Sequence, residues 1–159
     1  MPRMTPAELP DDLPVRNNLV RTTYNNPDMH RGFASLSGRV HSASHLPARI
    51  REIVVLSVAG RLKAEVELHP HRSAARNAGL TDAEIAAAEA GSTASFPAAA
   101  DAMAVEFAIA VDATQVDDAL WARARESFSE IELSDMAMLA GFYGLASRYV
   151  LAMGTDVDD

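Results

Sequence analysis

Between residues 47 and 80 the chain reads PARIREIVVLSVAGRLKAEVELHPHRSAARNAGL, a run that holds three carboxylates, Glu52, Glu65 and Glu67, and two imidazoles, His69 and His71. Histidine gives and takes a proton near neutral pH, and a carboxylate can orient the other ring nitrogen or act as a second base. Glu67 and His71 are four residues apart, which places both on one face of a continuous helix. Glu65 and His69 have the same spacing on another face, because two residues turn a helix by about 200°. All four enter one narrow pocket only if the helix is distorted or a second subunit contributes. Pro70 is the natural place for a distortion, since it cannot donate a backbone bond to Val66. The plainer readings are a surface Glu/His pair and a new helix starting after Pro70. Glu52, near a helix start and close to Arg49 and Arg51, reads more plainly as a cap-region charge or salt-bridge partner.

Other chemistries are narrowed by composition. The 159 residues include no cysteine, which removes disulfides, thiolate nucleophiles, iron-sulfur clusters and Cys-ligated zinc. No HExxH occurs, and His69 and His71 lie two apart rather than four; His30, His41 or His45 would have to complete a metal site in space. Ser57, Ser73 and Tyr143 lie in no nucleophile-elbow or phosphate-loop pattern. The net charge of −8 argues against nucleic acid or an anionic membrane as partner. A locally positive pocket remains possible, with Arg49, Arg51, Arg72 and Arg76 around the central run. No basic n-region precedes an apolar run, and no stretch approaches 18 uninterrupted apolar residues. These features give a cytoplasmic expectation.

The elements that must position these groups read as helices. Apolar residues make up 48% of the chain and aromatic ones only 6%, which suits close-packed helices. Residues 1–18 carry four prolines and read as an extended N-terminal arm, with at most a turn of helix at Thr5 to Leu9, seated on a neighbouring subunit. A single domain, 19–154, follows, then an acidic tail, 155–159, expected to fray. Helices are predicted from Pro27 to about Val40, from Pro47 to about Leu62 with a bend at Gly60, and from about Lys63 to Ala78 with Gly79 as C-cap. Thr81 and Glu84 form a capping box for the next, to about Ala90. Three more run from Pro97 to about Val111, from a cap at Thr114, and from about Glu132 to Met153. In the last, Met136, Leu139, Tyr143 and Ala146 face inward, and Gly141 and Gly144 permit close crossing. The sum is an all-α bundle of about six main helices around a central pair.

The central run, extended to PARIREIVVLSVAGRLKAEVELHPHRSAARNAGLTDAEI, resembles the helix pair of the carboxymuconolactone decarboxylase-like, AhpD-like family. GFYGLASRYVLAMG is similar to the family ending, so the resemblance covers most of the chain. It implies that Glu52 is the carboxylate of the first core helix and His71 the histidine of the second. Peroxidatic relatives carry a CxxC pair where this chain has Ala64 and Glu67, so a thiol peroxidase is excluded. The non-thiol branch commonly reads AEYEWAHHxxxAxxAGL against AEVELHPHRSAARNAGL here. Pro70 replaces the first histidine of that pair, and His69 stands one position earlier.

The resemblance further implies a homo-oligomer, often a trimer or hexamer, with its cavity near a subunit interface and no organic cofactor. The expected function is a cofactor-independent decarboxylase or isomerase of a small carboxylated lactone or enolisable carbonyl compound. Glu52, Glu67 and His71 would be catalytic; Arg49, Arg51, His69 and Arg72 would bind the organic acid or lactone. The competing readings are an oligomeric small-molecule-binding protein without catalysis and a metal-dependent hydrolase.

Overall fold

A computed structural model describes residues 2–158; Met1 of the arm and Asp159 of the tail lie outside the described residues. It shows an all-α bundle of eight helices among those residues: α1 (Asn18–Thr23), α2 (Pro27–Ser42), α3 (Ala48–Leu62), α4 (Glu65–Asn77), α5 (Asp82–Glu89), α6 (Ala99–Ala113), α7 (Asp118–Ala124) and α8 (Glu130–Met153). Six of them have eight residues or more.

The bundle is built around α3. A helix that is apolar all round must be buried all round, and every residue from Glu52 to Ala59 is buried. It packs against α4, α5, α6 and α8. This surrounding apolar contact is why Ile53, Val54 and Val55 stay helical despite their β-branched side chains. Ser57, fully buried, satisfies its hydroxyl by donating to the Ile53 carbonyl at 2.8 Å.

Two residues make the turn that brings the central pair together. Lys63 adopts a left-handed conformation at φ 58°, ending α3, and the fully buried Ala64 begins α4. The bend expected at Gly60 is instead a close crossing: a Cβ there would meet the Glu89 backbone, with its carbonyl oxygen 2.3 Å away. The two α8 glycines expected at close crossings differ from each other. Gly141 faces open space, whereas Gly144 leaves room for the Asp112 carboxylate and Arg148.

Pro70 lies inside α4 without dividing it. It is exposed, so its ring projects away from the core, and the helical spacing of Glu67 and His71 is kept.

The expected Thr81–Glu84 capping box is present on α5. Ser129 and Glu132 form a second on α8, which starts two residues before the predicted position. Thr114 does not cap α7. It ends α6 in a left-handed conformation at φ 59°, and Asp117 caps α7 by accepting from the Leu120 amide at 2.8 Å. By length and composition α8 is apolar enough to cross a membrane, but it packs Leu133, Met136, Leu139, Ala140 and Val150 into the core.

Both chain ends fold onto this same chain. The arm contains no helix from Thr5 to Leu9; Arg3 instead donates its amide to Met153 O at 2.9 Å, and Ala7 donates to Arg21 O at 2.9 Å. The tail is not frayed over its described part: Asp158 accepts from the Asn18 amide at 2.8 Å.

Candidate functional site

Four helices bring five ionisable side chains to one place. The antiparallel turn at Lys63 and Ala64 lays the inner face of α4 against α3, so that His71 Nδ1 stands 2.7 Å from Glu52 Oε2. The other ring nitrogen, Nε2, is 2.8 Å from the Tyr143 hydroxyl on α8. The same hydroxyl is 2.8 Å from His41 Nε2, near the end of α2. The two imidazoles are nearly parallel, 16° apart with centroids at 6.1 Å, and the phenol ring stands almost perpendicular to both. Packing of α2 on α8, including Phe33 against Phe142 at 5.1 Å, holds this arrangement.

Burial sets the electrostatics. Glu52 is 8% exposed, Glu67 5% and Tyr143 4%. Burial raises the Glu67 carboxyl above the ordinary range, partly opposed by the charge of His71. Its Oε1 is buried without a hydrogen-bond partner, so the environment favours the neutral acid. Burial, then the charges of Glu67 and Glu52, hold the Tyr143 hydroxyl far above the usual phenol range. His41 is pushed down by burial and then by His71, with Glu52 opposing and Arg51 adding to the effect.

The basic residues separate into two groups. Arg51 has no carboxylate partner among the described residues: Nη1 donates to Leu46 O at 2.6 Å, and Nε is buried and unpaired. Its charge acts on His41. Arg49, by contrast, points to the other side of α3, where it binds Asp101 at 2.9 Å, Gly79 O at 2.7 Å and Glu84. Arg72 is clamped between Glu89, at 2.7 and 3.0 Å, and Glu65. His69 is exposed, on the opposite side of α4 from Glu67 and His71.

The expected Glu52, Glu67 and His71 are therefore gathered with Arg51 nearby, while Arg49, Arg72 and His69 lie outside the cluster. Arg49 ties α3 to α5 and α6. Arg49→Ala is expected to lower stability by about 2–3 kcal/mol, because it leaves Asp101 and Glu84 without their cation. Substrate KM should hardly change; a large rise in KM at unchanged melting temperature would contradict this assignment.

Sequence reasoning undervalued Tyr143 and His41. Tyr143 was legible as an inward position on the last helix and, with Ser57 and Ser73, as a polar group able to reach a cavity. His41 fell in a predicted loop, but α2 continues to Ser42 and carries it to the cluster. The other candidate histidines are elsewhere: His30 bonds Thr23 at 2.8 Å and His45 bonds Asp135 at 2.9 Å. No set of three His, Asp or Glu side chains among the described residues is arranged to hold a metal ion.

The model of the carboxymuconolactone decarboxylase family matches residues 27–106, and the chain belongs to that family. No curated protein matches the chain significantly by sequence.

Solved structures agree on the fold. An uncharacterized peroxidase-related protein from Ralstonia eutropha JMP134, described as an alkylhydroperoxidase AhpD core, has 19% identity and a TM-score of 0.86 over 99% of this chain and 93% of its own. A peroxidase-related protein from Silicibacter sp. TM1040 has 17% identity and a TM-score of 0.79 over 88% and 75%. The debrominase Bmp8 in complex with 2,3,4-tribromopyrrole has 19% identity and a TM-score of 0.77 over 91% and 78%. Membership is consistent with an enzymatic or small-molecule-binding role, and the absence of cysteine removes the thiol-peroxidase pair.

Proposed function

We propose that this chain is a cofactor-independent acid/base enzyme, a decarboxylase or isomerase of a small carboxylated lactone or enolisable carbonyl compound. The observation that carries this reading is the hydrogen-bonded chain Glu52–His71–Tyr143 beside the unpaired buried oxygen of Glu67. Burial that raises a carboxyl above its ordinary range suits it to act as the acid in proton transfer to carbon.

The steps ask only for proton transfer and charge stabilisation. In decarboxylation the carboxylate leaves as carbon dioxide, its electron pair enters a conjugated carbonyl to form an enolate, and an acid then protonates carbon. Glu67 is the acid in this reading. Glu52 orients the His71 ring and stabilises its cation. Arg51, without a carboxylate partner among the described residues, offers a cation for a substrate carboxylate or the developing enolate oxygen. Isomerisation uses the same groups with no bond to carbon dioxide broken.

The fitting test is product formation and solvent-deuterium incorporation over a panel of small lactone acids and β-keto acids. Turnover with label at carbon is expected for the wild type and is expected to vanish in His71→Ala. No turnover or label across the panel counts against this reading.

One observation favours a second reading, a small-molecule-binding protein. A cavity of about 790 Å³ between residues 13–24 and α2, lined by Leu13, Val15, Leu19, Val20, Phe33 and Ala34 among others, does not include Glu52, Glu67 or His71. Retention of an apolar ligand there by a catalytically silent chain would support it.

A homo-oligomer is part of the proposal. Met29 and Leu36 on α2, and Ile131, Met138 and Leu145 on α8, are exposed at seven-residue spacing, a stripe that a second copy can cover. Light scattering that gives a monomer would remove this element.

A further inference from the structure

The hydrogen count along Glu52, His71, Tyr143 and His41 allows two arrangements. The Tyr143 oxygen lies 2.8 Å from His71 Nε2 and 2.8 Å from His41 Nε2. A phenol has one hydrogen to give, so it donates to one ring and accepts from the other. A carboxylic acid is a stronger acid than an imidazolium, so the hydrogen between Glu52 and His71 Nδ1 belongs to the nitrogen. When His71 is neutral, its Nε2 is bare and takes the Tyr143 hydrogen, and the Tyr143 oxygen accepts from His41 Nε2–H. When His71 is cationic, both bonds reverse: His71 Nε2–H donates to Tyr143, and Tyr143 donates to a bare His41 Nε2.

The position of one proton separates the two arrangements. We propose that His41, Tyr143 and His71 form a proton wire in which the two imidazoles hold a single proton between them and His41 is the port to substrate. The proposal rests on the acid/base reading of the site. In the inward transfer, the N–H bond at His41 Nε2 breaks as an O–H bond forms on Tyr143. The original phenol hydrogen passes at the same time to His71 Nε2. His41 goes from imidazolium to imidazole, His71 does the reverse, Tyr143 begins and ends neutral, and no electrons are exchanged with any other group.

The port is His41 because the inner members have no free position. Both His71 nitrogens are engaged, and its side chain is only 14% exposed. Tyr143 is 4% exposed, and its hydroxyl already spans two partners. His41 is partly exposed near the C-terminal end of α2, and no hydrogen bond to its Nδ1 occurs among the described residues. A proton taken from substrate therefore enters at His41 Nδ1, while Glu67 supplies the proton that carbon gains.

The charges around the wire direct the proton inward. Glu52 and Arg51 face it from α3, Glu67 and His71 from α4, and Tyr143 from α8. Glu52 contacts His71 directly and stabilises the cation there, while Arg51 opposes a cation on His41. Burial and the neighbouring His71 keep His41 less basic than an ordinary imidazole. While both rings are neutral, His41 carries its hydrogen on Nε2, so its Nδ1 is bare and able to accept a proton; once the proton has passed to His71, that nitrogen keeps the hydrogen it took. Because the Tyr143 hydroxyl resists ionisation, the two hydrogens must move together.

Nitrogen-resolved imidazole NMR of the full chain reads the wire without needing a substrate. At high pH the wild type is expected to show opposite tautomers, His71 as Nδ1–H and His41 as Nε2–H. On acidification the first protonation should move the signals of both rings together, in a step separate from the second. In Tyr143→Phe, His41 should lose its fixed tautomer and its response to the first step. In His41→Gln, a second variant at a partly exposed position, His71 should titrate alone in one step.

With a turned-over substrate, His41→Gln should slow deuterium exchange by about 100-fold, within the range of a lost acid/base group, and added imidazole should restore part of it. Identical tautomers on the two rings, a His41 titration unchanged by Tyr143→Phe, or full exchange in His41→Gln would each overturn the wire. Opposite tautomers and linked titration in a protein that turns over nothing would leave the wire standing and remove the enzyme reading instead.

Discussion

Glu67→Gln is expected to reduce turnover by about 10²–10⁴-fold while making the protein more stable at neutral and alkaline pH. The activity loss follows from removing a positioned acid. The stability gain follows from the burial of Glu67, which is 5% exposed with Oε1 unpaired. Burial raises its folded-state pKa above the unfolded value. The folded chain therefore binds more protons than the unfolded chain between those two values, and stability falls as pH rises through that window. The favourable state is the protonated one, fully present below the ordinary carboxyl range and lost as pH rises through the folded pKa.

Glutamine cannot ionise, so this slope should disappear in the variant. The gain of the variant over the wild type is therefore expected to be largest at pH 8 and to shrink towards pH 4. Denaturant titrations of both proteins across pH 4–8 provide the check. Parallel stability curves would mean that Glu67 is solvated in the folded state and is not held as a neutral acid. A functional group that lowers stability is a common cost of an active site.

Gly60→Ala should unfold the bundle at a temperature about 5 °C lower. Alanine is the better helix former by about 1 kcal/mol, so propensity alone predicts the opposite sign. The added Cβ, however, meets the Glu89 Cα at 2.5 Å and its carbonyl carbon at 2.8 Å as well as the oxygen at 2.3 Å. These are backbone atoms of α5 and cannot rotate away. Overpacking costs about 1–3 kcal/mol, occasionally more, and in a chain of this size each kcal/mol moves Tm by about 2–4 °C.

The strain also has a route to the site. Glu89 holds Arg72 through two hydrogen bonds, and Arg72 adjoins His71 on α4. Turnover is expected to fall along with stability. A melting curve equal to that of the wild type would show that α3 and α5 separate without cost at this crossing.

Much of the fold was legible because local signals and burial pattern agreed. The i to i+4 apolar spacing, Pro27, and Thr81 with Glu84 mark helix positions that need no tertiary information. Boundaries failed where two short-range signals competed. Thr114 looks like an N-cap, but it has a left-handed backbone at the end of α6, and Asp117 takes the capping role. His41 looks like part of a Ser-rich loop, but two further residues of α2 carry it against α8.

The sequence by itself determined the chemical inventory: no thiol, a Glu/His pair at helical spacing, and a second helix bearing Glu52 at a distance that a short turn can fold back. It also determined that Glu65 and His69 point away from Glu67 and His71, since helical rotation alone separates them. Tertiary structure decided what the inventory does. Arg49, Arg51 and Arg72 are equivalent in sequence, and only packing shows that two are consumed by Asp101, Glu84, Glu65 and Glu89 while Arg51 has no carboxylate partner among the described residues. The Tyr143 contact with two imidazoles joins residues 72 and 102 positions apart. Such contacts have no local signature, because they depend on the relative placement of whole helices, which packing of the common core decides.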